Sequence, residues 1–178
     1  MLIVDLEATC WKGYPPKSQT SEIIEIGVCE LNLSTLDISN KVSFLVKPLR
    51  SKISKYCTEL TSITQEMVDE SPTYIQAVEM LHQAFKPKKR MWGSWGQYDL
   101  KQFNRNSNIY KIPNPMGKNH INLNHIFSIF YGGKIFGMAD ACRHLNLELE
   151  GQHHRAHDDA YNTAKIIQHI LQKNKGLL

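Results

Sequence analysis

Apolar residues along this chain recur with two different periods. In "LIVDLEA" at the start, Leu2, Val4 and Leu6 alternate with Ile3, Asp5 and Glu7. A strand there puts the first three on one face and Ile3 with both acids on the other. "EIIEIGVCELN" and "ISNKVSFLVKP" are rich in Ile and Val and read as two more strands, joined by a polar turn at Ser34 to Asp37 into a meander. "WKGYPPKSQTS" between the first two is a loop by its Gly, paired Pro and Ser/Thr content. Short helices are predicted between Ile53 and Glu70, with Thr64 as an N-cap. The period then lengthens: Ile75, Val78, Leu81 and Phe85 follow Ser71 and Pro72, which predict a cap and first-turn pair, and Pro87 predicts the end of that helix. "RMWGSWG" reads as a compact strand with Trp92 in the core, and "QYDLKQFNRNSN" as the helix after it. Beyond Pro113 and Pro115 come an apolar helix, "INLNHIFSIFY", a short helix through Met138, Ala141, Cys142 and Leu145, and a last helix from about Ala156 to Lys173. Phe127, Phe130 and Tyr131 are expected to pack. No repeat or linker interrupts residues 1–178, so one α/β domain is expected, a mixed central β-sheet flanked by α-helices.

The acids set a chemical problem. Asp5 and Glu7 are neighbours on one strand face, and two like charges a few Å apart repel by about 1 kcal/mol even in water. They need a proton, a basic partner or a metal ion. In "HHRAHDDAYNTAKIIQHIL", Asp159, Thr163, Ile166 and Ile170 share one stripe, while Asp158, Asn162, Lys165 and His169 share a polar one. Asp159 is therefore expected to face the sheet and Asp158 to face water, where it complements the helix dipole. Asp99 shares a helix face with Phe103 directly after the "MWGSWG" strand. Asp5, Glu7, Asp99 and Asp159 thus converge from separate elements, and a hard divalent cation with oxygen ligands stabilises such a cluster, Mg²⁺ best when phosphate completes its shell. That is the two-ion arrangement for phosphodiester hydrolysis. His154, just before the last helix, is placed to act as general base. A zinc site at His153, His154 and His157 is the competing reading, weakened by the lack of a nearby Cys pair or HExxH pattern.

Composition adds less. The chain has 178 residues, 42% of them hydrophobic, enough for a packed core, and a net charge of +4 that suits a polyanionic partner. No apolar stretch approaches the length of a membrane span, and the first strand leaves no room for a signal sequence, so the chain is expected to be cytoplasmic. Cys10, Cys29, Cys57 and Cys142, with no CxxC spacing, read as reduced thiols. "KPKKR", Lys86 to Arg90, reads as a solvated loop, and Tyr56 and Trp11 as candidates for stacking on a base.

Taken together, "DLEATCW", "WGSWGQYDLKQF" and "HRAHDD" resemble the motifs of the DEDDh 3′-to-5′ exonucleases, DnaQ-like enzymes on a ribonuclease H-like fold. Within that group "EATCW", "EIIEIG" and "SKYCTELTSITQEMVD" look most like the exoribonucleases of the enhanced-RNAi type. The resemblance implies Asp5, Glu7 and Asp159 as direct metal ligands, Asp99 as a ligand partly through water, and His154 as the base. It further implies Thr9 near the terminal sugar, Leu60 wedged by the terminal base, and Tyr56 and Trp95 as stacking surfaces. Eukaryotic members of that type place the third acid directly after the Trp; here Gly96, Gln97 and Tyr98 intervene. The extra nucleic-acid-binding domain that some relatives carry has no counterpart in this sequence. The implied activity is hydrolysis of single-stranded 3′ ends, RNA before DNA, releasing nucleoside 5′-monophosphates with two Mg²⁺ ions, for which Mn²⁺ substitutes. A proofreading-type deoxyribonuclease with the same site, and a catalytically silent RNA-binding module, are the alternatives.

Overall fold

The computed structural model describes residues 1–174. Its strands are β1 Leu2–Ala8, β2 Ile23–Leu31, β3 Ile38–Leu45, β4 Trp92–Ser94 and β5 His120–Asn122. Its helices are α1 Lys55–Thr61, α2 Gln65–Asp69, α3 Tyr74–Phe85, α4 Tyr98–Tyr110, α5 Leu123–Phe130, α6 Met138–His144 and α7 Ala156–Lys173. The strands form one sheet in the order β3-β2-β1-β4-β5. β1 and β2, and β2 and β3, run antiparallel, whereas β1, β4 and β5 run parallel, which makes the sheet mixed as the patterning predicts.

Alternation along β1 divides the core. Leu2, Val4 and Leu6 pack with Ile26, Val28 and Phe44 against Val78, Leu81 and Phe85 of α3 and Phe103 of α4. Ile3, on the opposite face, packs with Cys29 and Leu31 against α5, α6 and α7, through Phe127, Ala141, Ile166 and Ile170. Asp5 and Glu7 therefore lie on the α7 side of the central strand.

Four local expectations are corrected. α3 starts at Tyr74, with Thr73 as its cap and Gln76 accepting from the Thr73 amide at 2.9 Å. Ser71 instead donates to Met67 O at the end of α2, and Ile75 is exposed while Tyr74 and Ala77 turn inward. The segment read as one helix from Ile121 begins as β5, because the Asn122 side chain accepts from the amides of Asn124 and His125 and starts α5 only there. Phe130 is 43% exposed; Phe127 and Tyr131 do the packing, their rings stacked at 4.6 Å.

The fourth correction concerns α7. Its polar stripe does not face water: Asp158 is 6% and Asn162 1% exposed. The segment before α7 folds back along that stripe and uses its side chains to satisfy its own backbone. Glu150 N donates to Asn162 and Gln152 N to Asp158, while Asn162 and Lys165 donate to Glu150 O and Glu148 O. Among the described residues no helix is long and apolar enough to cross a membrane. The four cysteines are free, all but Cys10 buried.

Candidate active site

β4 stops at Ser94 while β1 runs on to Ala8, so the end of β1 lacks a strand neighbour on that side. Leu2 N points to that edge and donates to Met91 O. By the period of two, Leu6 N points the same way, and the carboxylate of Asp99 accepts from it at 3.0 Å. Asp99, in the first turn of α4, is 3% exposed. Burial raises its carboxyl to about 6 against the stabilising Ser94 hydroxyl and Leu6 amide. Gly96, at φ +110°, makes the turn from β4 into α4 that the three residues between Trp95 and Asp99 require.

Asp159 arrives with the N-terminus of α7, which is seated on β2. Glu25 is fully buried on the α7 face, beside Gly27. Its carboxylate accepts from Arg155 Nε and Nη2 at 3.1 Å, Ala156 N at 3.0 Å, His157 Nδ1 at 2.9 Å and Ser43 Oγ at 2.5 Å. Burial pushes the Glu25 carboxyl upward, but Arg155 and Ser43 outweigh it and hold it below its ordinary range. A buried carboxylate thus caps the first turn of α7 from another element.

Oxygens of Asp5, Glu7 and Asp159 lie within 4.8 Å of one another. Burial first, and then Asp99, Glu7 and Asp159, hold the Asp5 carboxyl well above its usual range. Burial and Asp159 push Glu7 up to about 9. Asp159 is raised by burial as well, offset in part by His153. Asp99 is not within this closest group; it braces β1 behind it.

Two histidines reach Asp159. His153 Nδ1 is 3.0 Å from Oδ2, and the His154 backbone amide donates to the same oxygen at 3.0 Å. Their rings stack at 3.9 Å, and His154 takes a left-handed backbone, φ +66°. Burial and the neighbouring His153 hold the His154 imidazole below its ordinary value, so it is neutral near pH 7. His153, His154 and Asp159 together also offer three closely spaced ligand atoms, but His157 turns away to Glu25, which dismantles the three-histidine zinc reading.

The acids and both histidines line a cavity of ≈ 300 Å³ whose other walls include Leu60, Trp95, Tyr98 and Met138. Trp95 is held by its indole N–H on Phe136 O and by an edge contact with Phe127. Thr9 lies next to this cavity, with its hydroxyl donating to Thr20 O and accepting from Glu22 N. Tyr56, 39% exposed on α1, does not line it. Sequence reasoning assigned no part here to Glu25, Tyr98 or Met138 and considered His153 only for zinc. Glu25 carried the same signal as Asp5, a carboxylate inside an apolar strand run. Nothing in the sequence marked Met138.

The donor set fits a hard cation. It consists of three converging carboxylates whose mutual repulsion and burial raise their pKa values, and no Lys or Arg lines the cavity among the described residues.

The protein with the name 3′-5′ exoribonuclease 1 from Homo sapiens is 31% identical over 185 residues, 96% of this chain and 52% of that protein. Probable 3′-5′ exonuclease KapD from Bacillus subtilis is 28% identical over 182 residues, 99% of this chain and 87% of the relative. The chain spans about half the length, or less, of the first curated relatives it matches. Among solved structures, the nuclease domain of 3′hExo, a DEDDh family member bound to rAMP, superposes with a TM-score of 0.89 at 29% identity, covering 97% of this chain and 92% of that one. The mixed sheet is thus that of the ribonuclease H-like exonucleases. The Exonuclease (RNase_T) family model matches residues 2–167, a span that holds both faces of the sheet and every acid of the cavity, and the chain belongs to that family.

Proposed function

We propose that this chain is, as one exonuclease domain, a metal-dependent 3′-to-5′ exonuclease that shortens single-stranded 3′ ends, RNA in preference to DNA. One observation carries the reading: three carboxylates from two elements meet within 4.8 Å, with no Lys or Arg lining their cavity among the described residues and His154 beside them. Asp5, Glu7 and Asp159 would hold two Mg²⁺ ions, or Mn²⁺ in their place, with Asp99 as a ligand partly through water. When bound, such ions lower the pKa of a coordinated water and stabilise negative charge on a phosphodiester.

The chain's own residues do the rest. His154 accepts the proton of the attacking water, a role its lowered basicity suits because it is unprotonated near neutral pH. Its left-handed backbone and the hydrogen bond its amide donates to Asp159 fix the imidazole relative to the acids. Leu60 and Trp95 give the cavity apolar walls that suit the terminal base, and the short tether of Trp95 to Phe136 keeps that wall rigid. The relatives' names and the rAMP bound to the matched nuclease domain support RNA as substrate and a nucleoside monophosphate as product.

The experiment is a sequencing gel of 5′-labelled single-stranded RNA, and separately the matching DNA, incubated with Mg²⁺ or EDTA. A ladder shortening from the 3′ end only with metal is expected, faster on RNA. Faster loss of DNA would select the proofreading-type reading, and bound but uncut RNA under Mg²⁺ and Mn²⁺ would select a silent binding module.

A further inference from the structure

A larger hollow, ≈ 920 Å³, adjoins the acidic cavity of ≈ 300 Å³. Both are lined by Cys10, and Thr9 in the larger follows Ala8 in the smaller, so one opens beside the other. Its far wall is α4. There Lys101, Asn104, Arg105 and Asn108 form one exposed stripe at i, i+3, i+4 and i+7, while Gln102, Phe103 and Asn106 are buried. Helix α4 begins beside the acidic cavity, which its first residue, Tyr98, lines. A rise of 1.5 Å per residue then sets Lys101 and Arg105 about 3 and 9 Å farther along its axis than Asp99. The facing wall is the loop after β1, which contributes Trp11.

The charge of this hollow is one-sided. No Asp or Glu lines it, and among the described residues no ion pair involves Lys101 or Arg105. Two unneutralised cations, two amides and one indole beside a hydrolytic cavity match a chain of phosphates with bases attached. We propose that this hollow is the groove for the nucleic-acid strand upstream of its 3′ end, with Lys101 and Arg105 on successive backbone phosphates and Trp11 against a base. The direction of the strand rests on the exonuclease reading; the binding surface does not. Phosphate and amide contacts of this kind carry no base code, so the groove binds strands irrespective of sequence.

The test compares Lys101→Gln/Arg105→Gln with Lys88→Gln/Lys89→Gln. The second pair removes the same charge from another hollow, beside Gly117 and Lys118, that shares no lining residue with the acidic cavity. Gln is a good helix former, so the exposed α4 positions tolerate it. Binding of a 5′-labelled single-stranded RNA of about twelve nucleotides is followed by anisotropy in EDTA across a salt series, and cleavage of that RNA and of a trinucleotide is followed in Mg²⁺. The α4 pair is expected to weaken binding at least tenfold and to flatten the slope of log K against log salt by ~1.4, at ~0.7 per phosphate on a single strand. KM for the longer RNA should rise without a change in kcat and by more than KM for the trinucleotide, which reaches less of the groove, and the Lys88/Lys89 pair should behave as the unmodified chain. Unaltered binding by the α4 pair, or an equal loss in the Lys88/Lys89 pair, would overturn the proposal. A chain that cuts neither RNA nor DNA yet loses the longer RNA on the α4 substitutions would defeat the exonuclease reading and leave the groove standing.

Discussion

Gly27 of β2 and Ala156 of α7 meet backbone to backbone: a Cβ on Gly27 would lie 2.0 Å from the carbonyl carbon of Ala156. Gly27 stands opposite Asp5 in the β1–β2 register, so this contact sets how closely the first turn of α7, and Asp159 with it, approaches the acids of β1. No rotamer change relieves a clash with main chain. Gly27→Ala is expected to cost about 1–3 kcal/mol, as overpacking does. Where the variant remains folded, a shift of Asp159 by about 1 Å should lower kcat by roughly 100-fold. Urea denaturation and turnover measured on one preparation check both.

Asp158 and Asp159 are adjacent, buried and differently employed. Asp159→Asn should reduce metal-dependent cleavage by more than about 100-fold, beyond the range usual for residues that only support a ligand. Asp158 ties Lys41 at 2.5 Å and the Gln152 amide at 2.8 Å. Asp158→Asn should therefore lower stability by about 1 kcal/mol while leaving kcat within a few-fold. A thermal melt beside a turnover assay separates them, and the opposite pattern would reassign the ligand.

Of the two stacked histidines, only His154 is assigned the base. His154→Ala should cost about 10²–10⁴ in kcat, the usual range for a positioned base, with RNA binding retained, whereas His153→Ala should keep most of the activity. Because burial lowers the His154 value, its protonated form is reached at lower pH than for an ordinary imidazole. Activity should therefore persist as pH falls through 6.5, the ordinary value, and decline below it. A profile of kcat/KM against pH, run on both variants, identifies the titrating ring.

Glu7 supplies a signed prediction about pH and metal. Its folded value, about 9, lies above its ordinary 4.5, so the folded chain binds this proton more tightly than the unfolded chain does. On this group's account metal-free stability falls as pH rises from 4.5 towards 9. A bound divalent ion removes that penalty, so the rise in Tm on adding Mg²⁺ should be larger at pH 8 than at pH 6. Glu7→Gln should raise the Tm in EDTA by about 2–4 °C, equivalent to about 1 kcal/mol, and abolish the Mg²⁺ response. Melts that do not respond to millimolar Mg²⁺ at either pH would remove the metal assignment.

The parts of this architecture legible in the sequence are those in which a local period and a burial requirement agree. Alternation in "LIVDLE" sufficed to put Asp5 and Glu7 on one face, and the apolar stripe of α7 to turn Asp159 towards them. What was not legible depended on a partner distant in sequence. The stripe of Asp158, Asn162 and Lys165 looked solvated because nothing within the helix announces that residues 148–152 will lie along it. β5 escaped notice because three residues, His120–Asn122, are too few to show a period, and their pairing with β4 is the whole reason they are extended. His154, the proposed base, is marked by sequence spacing, but its left-handed backbone and its stacking on His153 follow from how the segment before α7 closes.

The seating of α7 on Gly27 also dictates a timetable. A polypeptide leaves the ribosome N-terminus first, at about 5–20 residues per second. Asp5 and Glu7 emerge early, Asp99 midway, and Asp159 only with α7, so for several seconds at least the nascent chain lacks the acid that completes the close group. The cluster closes when the late helix docks on the early strands. The proposed metal site is thus incomplete, by the order of synthesis alone, until α7 is out and folded.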